Sequence, residues 1–182
     1  MAERLLLVGM MGTGKTTSAR LAAEQLGWTW FDTDAEVSRV AGTTVADLFA
    51  RDGEAHFRRE ETRALEIALG RDEPLVVSVG GGAVLDRGNR ETLRQAGTVV
   101  WLRARPETLI TRVHDGDGRP LLVGATRRDR AETLRRIDAE RRTLYAEVAH
   151  DVVDVDDLDT GSVVERLVAY VGGGAPDRQA RT

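Results

Sequence analysis

A chain of 182 residues, 41% hydrophobic and 31% charged, has the size and balance of one globular domain with its own core. A net charge of −4 and an aromatic content of 4% argue against a nucleic-acid binder, which would present a basic surface and stacking rings. The absence of cysteine excludes disulfides, thiolate catalysis and cysteine-based zinc sites, and no apolar run approaches the length of a membrane span.

Met1-Ala2-Glu3-Arg4 leads straight into Leu5-Leu6-Leu7-Val8, which is no signal peptide, so a cytoplasmic protein is expected. Arg4–Val8 is predicted as the first strand. Directly behind it, Gly9-Met10-Met11-Gly12-Thr13-Gly14-Lys15-Thr16 fits the pattern G-x-x-x-x-G-K-[ST], between a strand and a helix. Lys15 is the only lysine; every other residue in the Lys+Arg total of 26 is an arginine. Glycines let backbone N–H groups turn inward around phosphates, and the following helix N-terminus adds positive potential. Gly12, Thr13, Gly14, Lys15, Thr16 and Thr17 are therefore the expected triphosphate contacts, with Lys15 on the β/γ-phosphates and the Thr16 hydroxyl placed to ligate Mg²⁺. The competing reading is a glycine-rich turn without a ligand.

A helix over Lys15–Leu26 places Ala19, Ala22, Ala23 and Leu26 at helical spacing. A second strand, Trp28–Phe31, runs into Asp32-Thr33-Asp34. Short helices follow over Ala35–Val40 and Val45–Arg51, the latter with Thr44 as N-cap. Glu54–Leu69 is a longer helix ended by Gly70 and Pro74. Leu75–Val79 is a near-continuous apolar strand, the pattern of one buried on both faces. After Gly80-Gly81-Gly82 come a helix over Arg87–Gln95, a buried strand over Val99–Leu102 and a helix opened by Pro106. His114–Pro120 is a loop on its glycines and proline. Leu134, Ile137, Leu144, Tyr145 and Val148 mark a long helix from about Arg127 to Ala149. Asp151–Val155 closes the sheet, Val163–Val171 is a last helix, and residues 172–182 form a frayed tail. The alternation gives an α/β fold: one domain over residues 1–171 with a parallel sheet flanked by helices.

Several residues stand out against this frame. Asp32 and Asp34 lie just past a strand end, where ligands bind in open α/β sheets. In an extended segment both would face one cleft, one holding Mg²⁺ through water and the other accepting a hydroxyl proton. Alternatively both are turn or capping aspartates. Gly80-Gly81-Gly82 suits a backbone that approaches a ligand closely, although a plain tight turn also uses glycine. Arg141 falls on the apolar stripe of its helix, where a guanidinium needs an anion, an internal acid or a route to solvent. Arg58 shares a face with Leu65 and Leu69 and is a weaker case. Arg119 sits in the glycine-containing loop, either a lid over transferring phosphate or a solvated turn. His56, His114 and His150 show no ligand spacing and are expected at the surface.

Taken together, these motifs resemble those of the shikimate kinases over residues 4–171. The resemblance implies a P-loop kinase fold like that of the nucleoside monophosphate kinases, a three-layer sandwich around a five-stranded parallel sheet with helices on both faces. It implies a substrate-binding helical insert at about residues 33–62 and a lid at about 112–125. Asp32 would support Mg²⁺ through water, and Asp34 would hold the acceptor hydroxyl. Asp47-Leu-Phe-Ala-Arg-Asp-Gly-Glu54 and Phe57-Arg58-Arg59-Glu60 resemble the insert, with Arg58 on the substrate carboxylate and Phe49 and Phe57 lining the pocket. Gly80, Gly81 and Gly82 match the triple glycine that contacts substrate hydroxyls. Arg119-Pro120-Leu121-Leu122 resembles the lid signature, Arg112 the adenine-facing arginine, and Arg141 the second carboxylate-binding arginine. The sequence departs from the family pattern at Thr143 and Thr160, where proline is usual.

The activity so implied is ATP-dependent phosphorylation of the 3-hydroxyl of shikimate. Lys15, Asp34 and Arg119 would be the catalytic residues, Mg²⁺ the metal, and small molecules the only partners of a monomer. Rival readings are a related kinase for gluconate or a nucleoside monophosphate, and a nucleotide-binding scaffold without turnover. A GTP switch is excluded, because its Asn-Lys-x-Asp guanine motif needs a second lysine.

Overall fold

The computed structural model describes residues 3–113 and 126–171. Five strands form one parallel sheet: β1 (Arg4–Val8), β2 (Thr29–Asp32), β3 (Leu75–Ser78), β4 (Thr98–Arg103) and β5 (Asp151–Asp154). Their order, β2-β3-β1-β4-β5, puts β1 in the middle. Leu5, Leu6, Leu7, Val76, Val77, Val99 and Val100 are buried on both faces, as their unbroken apolar runs require. Helices α1 (Lys15–Leu26) and α8 (Thr160–Val171) pack together on one face; α5 (Arg87–Ala96) and α7 (Arg127–Val148) cover the other. This is the expected three-layer α/β architecture.

The chain leaves β1 first toward β2 and later toward β4. The strand order therefore reverses beside β1, and a crevice opens at the carboxyl ends of the strands. The phosphate-loop sequence, Asp32, Ser78 and the triple glycine all follow such ends. Between β2 and β3 lie α2 (Thr33–Ala41), α3 (Val45–Asp52) and α4 (Glu54–Leu69). They enclose a small second core of Val37, Leu48, Phe57 and Ala64.

Most element boundaries agree with the sequence to within one or two residues. The last helix starts three residues earlier than expected, at Thr160, where the Asp159 carboxylate accepts from Ser162 N at 2.8 Å. The second strand is shifted by one residue, and α2 begins at Thr33 rather than Ala35, because Asp32 caps it. His150 is exposed as expected but still serves the sheet. Its Nδ1 accepts from Val99 N at 3.0 Å, and its own backbone N–H donates to Val99 O at 2.8 Å. Pro106 opens α6 (Pro106–Arg112), where a missing N–H costs nothing.

The Thr44 N-cap is realised: its hydroxyl oxygen accepts from Asp47 N at 3.1 Å. Thr44→Ala is expected to cost about 1 kcal/mol. For a chain of this size that lowers the thermal midpoint by about 2–4 °C in a melting experiment.

Candidate active site

The loop between β1 and α1 is shaped by glycine. Gly12 and Gly14 hold φ values of 83° and 86°, in the left-handed region that other residues rarely adopt. A Cβ on Gly12 would also lie 2.8 Å from the Val113 side chain. No side chain caps α1, so its first amides face the crevice uncovered, as an anion site requires. Lys15 Nζ donates to Gly9 O at 2.7 Å and Met10 O at 2.9 Å, which folds the ammonium over its own loop.

Asp32 uses its two oxygens differently, and the capping reading is realised. Its Oδ1 caps α2 by accepting from Asp34 N and Ala35 N, both at 3.0 Å. Its Oδ2 accepts from the Thr16 hydroxyl at 2.6 Å, and Ser78 Oγ lies 3.4 Å from that hydroxyl. The segment is therefore not extended through residue 34: Asp32 ends the strand and Asp34 already sits in the first turn of α2. The two carboxylates reach the crevice from a strand end and a helix start, not from one face of a strand.

Asp34 faces the triple glycine. A Cβ on Gly80 would come 2.5 Å from Asp34 Oδ1 and 2.7 Å from Glu61 Oε1, so two carboxylates converge on this glycine. Gly80 N donates to the Thr33 hydroxyl at 2.8 Å, which ties the turn to the start of α2. A Cβ on Gly82 would overlap the Arg58 guanidinium. Arg58 in turn donates to Glu61 Oε2 at 2.5 Å and to Glu54 Oε1 at 3.1 Å.

From the opposite side, α7 presents Arg141, which is 5% exposed. Its Nη1 donates to Gly81 O at 2.9 Å, and its Nε is buried without a hydrogen-bond partner. Lys15, Asp34, Arg58, Glu61, Gly81, Gly82 and Arg141 thus line a single pocket, closed on its apolar side by Met11, Phe49 and Phe57. The two phenyl rings stand 5.7 Å apart at 57°. A separate groove on the other side of the loop is lined by Gly12, Thr13, Gly14, Thr17, Arg112 and Thr160, among others. Arg112 is anchored there through Val155 O at 2.9 Å. The phosphate loop is the wall between the two.

The sequence residues Lys15, Asp34, Arg58, Gly81, Gly82 and Arg141 are brought together, as are Gly12, Thr13, Gly14, Thr17 and Arg112 on the groove side. Arg119 and residues 114–125 of the lid expected at about 112–125 lie outside the described residues, as does the tail at 172–182. Glu61 was missed. The signal was present: it falls one turn before Leu65 and one turn after Phe57, a carboxylate on the buried face of α4. Glu61 is 2% exposed, and burial pushes its carboxyl above the ordinary value of 4.5 against the opposing pull of Arg58.

A lysine-bearing phosphate loop at the sheet's switch point, with a carboxylate and two guanidinium groups beyond it, defines a P-loop kinase. Residues 11–172 match the sequence profile of the family described as Shikimate kinase. Shikimate kinase of Symbiobacterium thermophilum is 46% identical over 167 residues, spanning 90% of this chain and 93% of the relative. That of Moorella thermoacetica is 41% identical over 168 residues, spanning 92% and 93%. The solved shikimate kinase from Acinetobacter baumannii in complex with shikimate superposes with a TM-score of 0.88 at 34% identity, covering 97% of both chains. The chain belongs to the shikimate kinase family.

Because burial raises the Glu61 carboxyl, acidification strips Arg58 of one of its two negative partners early, leaving Glu54. The Michaelis constant for the phosphoryl acceptor is expected to climb as pH falls, starting above 4.5. In Glu61→Gln the constant should be raised about tenfold at neutral pH and lose this acid limb. Initial-rate measurements across a pH series check both.

Proposed function

We propose that the chain transfers the γ-phosphoryl group of ATP to the 3-hydroxyl of shikimate, giving shikimate 3-phosphate and ADP, as a cytoplasmic monomer. The observation that carries this reading is the meeting of Arg58, Arg141 and Asp34 in one pocket at the lysine end of the phosphate loop. Paired guanidinium groups suit a carboxylate, which they grip in two-point fashion. Asp34 and Lys15 share that pocket with the arginine pair, which offers an acceptor hydroxyl a carboxylate partner near the phosphate loop. No helix among the described residues is long and apolar enough to cross a membrane.

The chemistry asked of the protein is positioning and charge compensation, with no covalent intermediate. The loop amides and Lys15 hold the triphosphate, and Arg112 with the groove beyond Gly12 takes the adenine end. Asp34 orients the hydroxyl and accepts its proton. Arg58 and Arg141 fix the far end of the ring, which turns the hydroxyl in line with the transferring group. Arg119 neutralises charge on that group. The insert at 33–62 is then the acceptor-binding element of a single kinase domain.

The Thr16 hydroxyl and the Asp32 carboxylate fit Mg²⁺, a hard cation that takes one or two protein oxygens and keeps the rest for water and phosphate. Thr16 would hold the ion directly and Asp32 through water. When bound, it spreads the charge of the β- and γ-phosphates.

A gluconate or nucleoside monophosphate kinase shares the loop but has no need of this arginine pair around one ring acid. A coupled ADP-release assay with ATP and Mg²⁺ should give turnover with shikimate and little with gluconate or nucleoside monophosphates; preference for either rival acceptor would overturn the assignment. Lys15→Ala should reduce kcat by at least about a thousandfold with an unchanged circular-dichroism spectrum. Arg141→Leu should raise the shikimate Michaelis constant by about a hundredfold while moving the melting temperature little. A stability loss with unaltered kinetics would make Arg141 a structural ion.

A further inference from the structure

Gly81 and Gly82, with Gly80 before them, bring the triple glycine to the acceptor pocket, yet three glycines carry no side chains to fix their peptide planes. Something outside the segment has to do so. Gly80 N is held by the Thr33 hydroxyl, and Gly81 O accepts two donors: Arg141 Nη1 at 2.9 Å and the Tyr145 hydroxyl at 2.7 Å. Tyr145 lies one turn beyond Arg141 on the same face of α7. It is wholly buried, and its ring packs 5.8 Å from that of Trp101.

We infer that Tyr145 is a positioning residue for the acceptor: its hydroxyl pins the Gly81 carbonyl, and through it both the triple-glycine wall and the Arg141 guanidinium. The inference rests on the acceptor pocket assigned above. Two donors occupy both lone pairs of one carbonyl, so the Gly81–Gly82 peptide has a single orientation. That peptide is trans, so a carbonyl turned toward α7 sends the Gly82 N–H the opposite way. The same carbonyl is what Arg141 Nη1 bonds to, while its Nε has no partner. Remove the phenol and the glycine peptide regains its rotational freedom, taking the guanidinium with it. Burial pushes the phenol up to about 12, so it remains a donor throughout the working range. Phenylalanine fills the same volume, so the hydroxyl can be deleted without opening the core.

The test is Tyr145→Phe in the full-length enzyme, with Michaelis constants measured separately for shikimate and ATP. The constant for shikimate should rise about five- to tenfold, that for ATP should stay within about twofold, and the melting temperature should fall by no more than about 4 °C. An unchanged shikimate constant, or equal losses toward both substrates, would overturn the inference. Arg141→Leu measured alongside separates the two levels of argument. If it weakens shikimate binding while Tyr145→Phe does not, only the role of Tyr145 fails. If neither variant affects shikimate, the pocket assignment itself is wrong.

Discussion

Two guanidinium groups are held largely out of water beside a pocket, and the neighbouring features answer the cost of putting them there. A buried charge that loses its partner costs about 3–5 kcal/mol, so each arginine must be compensated by the protein itself. Arg58 is met by Glu61 and Glu54 from its own helix, one turn away on each side. Arg141 is met by a backbone carbonyl, which compensates part of its hydrogen-bonding capacity and leaves its charge for an incoming anion. The asymmetry has a chemical use. One arginine is pre-oriented by ionic partners; the other has no ion pair with a carboxylate among the described residues.

That arrangement dictates the sequence around it. Asp34 and Glu61 converge on the Cα of Gly80, so any side chain there would have to displace a carboxylate. At Gly82 a side chain would have to displace the Arg58 guanidinium. The triple glycine is thus the imprint of three charged side chains closing on one stretch of backbone. Its own softness is then offset by a hydrogen bond to Thr33 and by two from Arg141 and Tyr145.

Much of this was legible beforehand, for reasons that differ from residue to residue. The phosphate loop announces itself because its function needs a fixed spacing of glycine and lysine. Arg141 was visible because a charge on an apolar stripe contradicts the helical period, and the structure resolves that contradiction inside the pocket. Glu61 breaks the same rule on α4, but Arg58, Arg59 and Glu60 beside it make the segment look like an ordinary charged surface. Asp32 was ambiguous because an aspartate after a strand serves as a cap as readily as a ligand for a metal; here one oxygen caps α2 and leaves the other for the Thr16 hydroxyl. The fold class followed from apolar runs alternating with helical patterns. The small boundary shifts at β2 and α8 arise where capping side chains recruit residues outside the apolar pattern.

The placement of β1 between β3 and β4 has a consequence for biogenesis. All the glycines and the lysine of the nucleotide-gripping loop are synthesised by residue 15, but β1 pairs with Leu75–Ser78 on one side and Thr98–Trp101 on the other. A nascent chain on the ribosome therefore carries the complete loop long before it owns the strands that hold it in shape. More than half of the protein must emerge before a triphosphate has anything rigid to bind, so nucleotide cannot template the early steps and can stabilise only the nearly finished sheet.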